Sequence, residues 1–156
     1  MPPPVRVPVM ESQAELTRAL TVVAAVIRDG EDRVLLTRRP EALHMGGLWE
    51  FPGGKVDDGE APAAALVREL HEELDVEVVV GRPLTFAVHE EPGLRILLLF
   101  FAARIIAGEP EGREGQAIAW VETADLPSYP TPPADAELVR FLAGLDADDS
   151  RDLPWK

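Results

Sequence analysis

The sequence contains no cysteine and no long uninterrupted run of apolar residues. Without cysteine, the protein cannot form a disulfide framework, a thiolate metal site or a thiol nucleophile. The missing thiols are compatible with a reducing cytoplasm, which is the compartment we expect. No stretch reaches the eighteen or so apolar residues that a membrane helix needs, so we expect no membrane partner.

The chain also has few basic side chains. It carries 15 Lys and Arg against 28 Asp and Glu, a formal net charge of −13. A chain of this sign repels a polyphosphate backbone, so we expect no nucleic-acid polymer as partner. If the protein handles phosphates, it must recruit a positive charge locally, and a divalent metal ion is the natural candidate.

The length and composition indicate one folded domain with two extensions. The chain has 156 residues, of which 46% are hydrophobic, enough for a globular core. Residues 1–18 are predicted to be an extended, proline-rich lead-in, and they lack the basic start and apolar run of a signal peptide. The folded domain is expected at residues 19–146, followed by an acidic tail at 147–156.

Six apolar, β-rich segments predict strands: Thr21–Ile27, Arg33–Thr37, Val76–Val80, Leu84–Glu90, Leu94–Ile106 and Ala117–Val121. Turn residues at 28–32 favour a hairpin between the first two. A loop rich in Pro and Gly is expected at 40–59, and helices at 61–74 and 134–145. Without a regular alternation of strands and helices, the predicted fold class is α+β with a mixed sheet.

The first predicted helix has an apolar arc and an acidic arc. The apolar arc contains Leu66, Val67, Leu70 and Leu74. Glu69, Glu72 and Glu73 fall together on the other arc, where like charges repel unless a cation lies among them. Carboxylate oxygens suit Mg²⁺ or Mn²⁺, which pair with substrate phosphates. The alternative is a solvated acidic face, the commoner reason for clustered Glu on a helix.

From Gly54 the chain reads GKVDDGEAPAAALVRELHEELDV, which resembles the Nudix box, Gly-x5-Glu-x7-Arg-Glu-U-x-Glu-Glu-x-Gly-U, where U is a bulky apolar residue. The matching positions are Gly54, Glu60, Arg68, Glu69, Leu70, Glu72, Glu73 and Val76. Asp75 stands where the box has Gly. Asp tolerates a left-handed turn at some cost, so we expect slight destabilisation there rather than loss of chemistry.

Within that superfamily, the chain resembles the MutT-type nucleoside triphosphate pyrophosphohydrolases. The resemblance covers about residues 21–142 and is carried by the segments 37–56 and 113–116, by Trp120 and by 132–135. It implies an α/β/α sandwich around a mixed sheet, with the box as a loop–helix–loop and a C-terminal helix. It also implies Mg²⁺-dependent hydrolysis of a triphosphate to monophosphate and pyrophosphate. The expected substrates are CTP or dCTP, or oxidised nucleotides such as 8-oxo-dGTP that the enzyme removes from the pool.

The resemblance implies a metal-binding set formed by the carbonyl of Gly53 and by Glu69, Glu72, Glu73 and Glu114. Arg68 matches an arginine that orients a catalytic glutamate, and Glu60 matches its structural partner at the helix start. The general base is Glu69, Glu73 or Glu114, and we favour Glu69 or Glu73. Mg²⁺ is the expected cofactor, with Mn²⁺ as the alternative.

The same resemblance implies a set of substrate-binding residues. Arg39 and Lys55 match basic positions near the triphosphate. Asp135 matches a base-recognising position that is Asn in the enzymes acting on oxidised guanine. An ionised Asp only accepts hydrogen bonds, which suits the amino group of cytosine or adenine. Alternatively, Asp135 is a helix N-cap. His44 and Phe51 are further expected contacts, although local hydrogen bonding and core packing are their alternatives.

Three other functions remain open at this point. The domain could hydrolyse a nucleoside diphosphate derivative such as ADP-ribose or a dinucleoside polyphosphate. It could be a non-catalytic nucleotide sensor, although such domains commonly lack some of the box glutamates, all of which are present in this sequence. It could also be an acidic interaction module. The sequence does not distinguish a monomer from a homodimer.

Overall fold

The structure is a computed structural model that describes residues 17–144. The predicted lead-in lies outside the described residues except for Thr17 and Arg18, and the predicted tail lies wholly outside them. The domain boundaries therefore stay predictions. Between residues 17 and 144, no helix is long and apolar enough to cross a membrane.

The described part of the chain contains seven strands and two α-helices: β1 (Arg18–Ile27), β2 (Val34–Arg38), β3 (Trp49–Glu50), β4 (Gly53–Lys55), α1 (Pro62–Leu74), β5 (Glu77–Glu91), β6 (Leu94–Ala107), β7 (Ala117–Val121) and α2 (Ala136–Leu142). One sheet has the order β4-β1-β6-β5 and the other β3-β2-β7. In the first sheet β1 runs parallel to β6 and antiparallel to β4. The predicted α+β fold with a mixed sheet is confirmed.

Strand β1 separates two hydrophobic clusters. Successive side chains of a strand point to opposite faces of its sheet. Val23, Ala25 and Ile27 therefore pack in the cluster that contains the buried leucines of α1. Ala24 and Val26 pack in the other cluster, which contains the buried side chains of α2. The two helices cover opposite faces of the strand layer, and the predicted α/β/α arrangement is confirmed.

Helix α1 begins with proline at its first turn and buries three leucines along one side, Leu66, Leu70 and Leu74. Proline suits this position because the first N–H of a helix has no intrahelical partner. Val67, predicted on the same apolar arc, is 40% exposed and lies at the edge of the buried side. The helix ends at Asp75, whose φ of 57° is left-handed.

The hairpin predicted between the first two strands is wrong in its pairing. The chain does turn at residues 28–34, where the Asp29 carboxylate accepts the backbone N–H groups of Glu31 and Arg33. However, β1 pairs with β4 and β6, while β2 pairs with β3 and β7. Arg28 and Val34 form one isolated bridge between the two sheets. An apolar run predicts a strand but does not specify its neighbours.

Three further elements differ from the expectation. The predicted loop at 40–59 contains β3 and β4, which are too short to show a periodic pattern. The strands predicted at 76–80 and 84–90 are one strand, because β5 continues past Pro83 through local register shifts. Helix α2 begins two residues later than predicted, since residues 133–135 form a 3-10 turn. Phe141 of this helix is 50% exposed, whereas Leu138 and Val139 are buried.

Candidate active site

Two consecutive glycines bring β4 close to both β1 and α1. Gly53 and Gly54 lie in β4, opposite Ala24 and Val23 of β1. A Cβ atom on Gly53 would overlap the carbonyl oxygen of Val23. A Cβ atom on Gly54 would overlap the carboxyl group of Glu69. The absence of side chains therefore lets the Glu69 carboxylate lie directly against the backbone of β4.

This close approach makes Gly54→Ala a sensitive test of the site. The added methyl group should displace the Glu69 carboxylate from Arg68, which costs only about 1 kcal/mol of unfolding free energy because the displaced group is the flexible end of a side chain. A displacement of about 1 Å at a reacting group can lower the rate about 100-fold. Gly30→Ala is the matched control, since its Cβ would meet nothing within 4 Å. Equal behaviour of the two variants in chemical unfolding and in turnover would contradict this placement.

Arg68 of α1 joins the acidic residues of the box. Its Nε donates to Oε2 of Glu60 at 2.8 Å, and its Nη2 donates to Oε1 of the same residue at 2.9 Å. Nη2 also donates to the Lys55 carbonyl at 3.0 Å. Nη1 donates to Oε1 of Glu69 at 3.0 Å and to Oε2 of Glu72 at 3.4 Å. The pKa of Glu60 is lowered to about 2, first by the bidentate guanidinium and then by the hydrogen bond from the backbone N–H of Asp57.

Glu73 faces other carboxylates from three parts of the chain. Its pKa is raised to about 8, first by burial and then by the charges of Glu69, Glu114 and Glu50. Glu50, on β3, was not singled out in the sequence. Its pKa is raised by burial, and its two carboxylate oxygens accept from Nε of Arg39 at 3.1 and 3.2 Å. An acidic residue between two aromatic residues, just before the box, is the signal that could have found it.

These carboxylates fit a divalent metal ion by their chemistry. In residues 17–144, no group of three or more His, Asp or Glu side chains is arranged as a finished metal site. Part of the reason is that Glu69 and Glu72 point oxygens at Arg68. Nevertheless, Glu69 and Glu73 are half-buried and Glu114 is exposed, and the charges of Glu69 and Glu114 both raise the pKa of Glu73. Such a set favours a hard dication such as Mg²⁺.

A cavity of about 500 Å³ opens beside these carboxylates. Its lining includes Arg39, Leu43, Lys55, Glu73 and Glu114. The cavity thus brings together two predicted phosphate-binding side chains and two predicted metal-binding side chains. Its volume lies in the range of about 300–1,000 Å³ that is typical of small-molecule sites.

Other predicted substrate contacts are placed differently. His44, Phe51 and Asp135 are not among the described residues that line this cavity. The His44 side chain is exposed, and its carbonyl accepts from Nη1 of Arg39 at 3.0 Å. Phe51 is 4% exposed and packs edge-to-face on Phe100, with 5.9 Å between the ring centroids. The structure therefore favours core packing for Phe51, whereas the hydrogen bond at His44 involves its backbone and leaves the role of its imidazole a prediction.

Asp135 lies just before α2 and is 3% exposed. Its side chain makes no capping hydrogen bond to the helix, so the contacts do not support the N-cap alternative. The pKa of Asp135 is raised to about 7, first by burial and then by the charge of Glu50, while the charge of Arg39 partly offsets this rise. Asp135 is therefore electrostatically linked to the Arg39–Glu50 pair beside the cavity.

Asp75, which replaces the box glycine, is paired with a charged neighbour. Oδ2 of Asp75 lies 2.9 Å from Nη2 of Arg113, and both side chains are about half exposed. We expect Asp75→Gly to remove left-handed strain of about 1 kcal/mol and an ion pair worth about 0–1 kcal/mol. The variant should therefore be slightly more stable in chemical unfolding, and its gain should grow at high salt, where the pair is screened. A loss of stability that persists in high salt would contradict this account.

The fold and the acidic helix beside a cavity define a hydrolase-like site, and comparison with known proteins gives its family. The NUDIX domain family matches residues 23–140, and the chain belongs to this family. It is 39% identical over 131 residues to a CTP pyrophosphohydrolase of Escherichia coli, covering 83% of this chain and 96% of that protein. It is 38% identical over 125 residues to an 8-oxo-dGTP diphosphatase of Haemophilus influenzae, covering 80% and 92%.

The fold has solved counterparts of similar extent. A MutT structure from Aliivibrio salmonicida or Vibrio cholerae is similar with a TM-score of 0.63 and 35% identity. The matched region covers 82% of this chain and 99% of that chain. Both the sequence and the fold thus agree with the resemblance that the box indicated.

Proposed function

We propose that the protein hydrolyses a nucleoside triphosphate to a nucleoside monophosphate and pyrophosphate, using Mg²⁺. The observation that carries this proposal is the meeting of Glu73 and Glu114 with Arg39 and Lys55 at one cavity. Carboxylates and basic side chains at one cavity suit a metal-bound polyphosphate. The similarity to a CTP pyrophosphohydrolase and an 8-oxo-dGTP diphosphatase supports the same reaction and a role in nucleotide-pool sanitation.

Each group of the site has a distinct task. Glu69, Glu72, Glu73, Glu114 and the carbonyl of Gly53 would hold the metal. A bound divalent ion neutralises phosphate charge and lowers the pKa of water. Arg68 holds Glu69 and Glu72 in place, and Lys55 and Arg39 attract the triphosphate. Either Glu69 or Glu73 accepts the proton of the attacking water. The protein mainly positions the reactants and balances charge, as is usual in phosphoryl transfer.

The proposed base reader, Asp135, suits more than one base. The ionised carboxylate accepts only, which fits the N4 amino group of cytosine. The neutral acid also donates, which fits the O6 or N7 acceptors of a guanine-type base. Because the pKa of Asp135 is about 7, both forms are populated near neutral pH. Glu50 and Arg39 are the charged groups that face it.

A nucleotide panel at several pH values tests this proposal. The protein is incubated with Mg²⁺ and CTP, dCTP, 5-methyl-dCTP, dGTP or 8-oxo-dGTP, and kcat/KM is measured for each. We expect the ratio of kcat/KM for CTP to that for 8-oxo-dGTP to rise from pH 6 to pH 8, as Asp135 ionises. A ratio that stays constant would remove Asp135 as the base reader. No turnover of any triphosphate would refute the proposed reaction.

A further inference from the structure

The side chain of Gln116 bridges the two chain segments that carry opposing carboxylates. Its Nε2 donates to the backbone carbonyl of Glu73 at 3.2 Å. Its Oε1 accepts from the backbone N–H of Glu114 at 2.7 Å. Glu73 lies in the last turn of α1, whereas Glu114 lies in the connection between β6 and β7. One amide group therefore links the backbones of two residues whose carboxylates interact.

Backbone bonds hold the rest of this connection on the end of α1. The N–H of Glu111 donates to the carbonyl of Leu74 at 3.0 Å, and the N–H of Arg113 donates to that of Glu73 at 3.0 Å. The last carbonyl groups of a helix have no intrahelical partner, so they are available to dock a loop. The Glu114 N–H is held by a side chain instead, namely that of Gln116.

The chemistry of this bridge requires an amide. One end must donate to a carbonyl while the other accepts from an N–H, and the Gln side chain provides both groups at once. A carboxylate accepts only, and an aliphatic side chain does neither. Gln116 also lines the cavity beside Glu73 and Glu114, so a change in its position is a change at the site.

We propose that Gln116 is a positioning residue that fixes Glu114 opposite Glu73, so that both carboxylates can bind the same metal–triphosphate complex. The proposal rests on the proposed function, because it assigns Glu114 to that reaction. Gln116 acts through Glu114 and performs no chemistry of its own. Its loss should therefore matter only while Glu114 is a carboxylate.

A double-mutant cycle tests this dependence. The variants are Gln116→Leu, Glu114→Gln and their combination, with kcat/KM measured for the best nucleotide of the panel. We expect Gln116→Leu to lower kcat/KM about 10–100-fold, the usual range for a residue that orients a metal ligand. In the Glu114→Gln background, the same substitution should have less than a twofold effect. An equal loss in both backgrounds would overturn the proposal.

Metal affinity supplies a second measurement that needs no turnover. Mn²⁺ is titrated into the nucleotide-free protein, and free Mn²⁺ is followed by electron paramagnetic resonance. Gln116→Leu should weaken Mn²⁺ binding about 10–100-fold and Glu114→Gln at least as much, without further weakening in the combined variant. Unchanged affinity in Gln116→Leu would overturn the proposal. Gln116→Asn keeps the amide but shortens it by one carbon, and serves as a second variant should the leucine fail to fold.

The two measurements separate this inference from the proposed function. If the wild type hydrolyses no triphosphate, the proposed function fails, while the Mn²⁺ titration still reports whether Gln116 acts through Glu114. If Glu114→Gln keeps the activity and Mn²⁺ affinity of the wild type, Glu114 has no role and the positioning proposal is overturned. In that case hydrolysis by the wild type would still support the reaction itself.

Discussion

Glu73→Gln should lower kcat/KM about 10³-fold or more, because it removes a carboxylate from the charge-stabilising centre of the site. The same change should raise the free energy of unfolding in EDTA by about 1 kcal/mol. The stabilisation is expected because Glu73 is half-buried near the carboxylates of Glu69, Glu114 and Glu50, whose charges raise its pKa. A variant that is more stable but less active would show that the carboxylate of Glu73 serves the reaction and not the stability of the fold.

The control for this prediction is Glu77→Gln. Glu77 lies four residues further along, at the start of β5, and is exposed. It should change neither turnover nor unfolding beyond about 0.5 kcal/mol. Full activity of Glu73→Gln in steady-state assays would remove Glu73 from the metal site. A large loss of stability in urea unfolding would show that its carboxylate holds the fold together.

Asp135→Asn should stabilise the protein in a pH-dependent way. The folded-state pKa of Asp135 is about 7, above its ordinary value of 3.8. Below about pH 4 the acid is neutral in both states, so burial costs little. As pH rises from 4 to 7 the unfolded state loses its proton first, so the wild type loses stability, and the loss levels off above pH 7. The shift corresponds to on the order of a few kcal/mol.

Urea unfolding of the wild type and of Asp135→Asn between pH 4 and pH 8 measures this effect. The difference in unfolding free energy should be small at pH 4 and largest at pH 8. Asp125→Asn is the control, since Asp125 is exposed and should show no such trend. Asn also donates and accepts at every pH, so the pH dependence of the CTP to 8-oxo-dGTP ratio should vanish in Asp135→Asn. A constant stability difference across the range would contradict a buried, titrating carboxyl.

Much of the fold was predictable because local pattern determines local structure. The helix predicted at 61–74 is observed as Pro62–Leu74, and the strand at 117–121 is observed with the same bounds. The pairing of strands was not predictable, since β1 finds its neighbours β4 and β6 far along the chain. Strands pair through backbone hydrogen bonds, which are the same for every residue type, so the sequence of a strand does not indicate which strand it pairs with.

In the site, too, residues that are close in sequence could be predicted together, whereas contacts between distant segments could not. The spacing of Glu69, Glu72 and Glu73 is a property of one helix and could be predicted. The position of Glu50 between two aromatic residues is visible in the sequence, but its role depends on Arg39 and on distant carboxylates that fold against it. The same holds for Gln116, whose bridge joins positions 43 residues apart. Phe51 was predicted as a substrate contact because an aromatic side chain beside a glycine loop suits either packing or stacking.

The net charge of −13 is reconciled with phosphate chemistry by its distribution. Part of the negative charge is concentrated in Glu69, Glu73 and Glu114, where a metal ion would reverse the local sign for a polyphosphate. Arg39 and Lys55 lie at the same cavity. We expect the remaining acidity to disfavour binding to a nucleic-acid polymer, which is consistent with the free nucleotide proposed as the substrate.

The identity of the products tests the central claim most directly. The protein is incubated with CTP or 8-oxo-dGTP in Mg²⁺, and the products are separated and identified by ³¹P nuclear magnetic resonance. A parallel reaction that contains EDTA is the control. The account predicts nucleoside monophosphate and pyrophosphate in equal amounts, and no reaction in EDTA. Nucleoside diphosphate with orthophosphate, or turnover unaffected by EDTA, would contradict it.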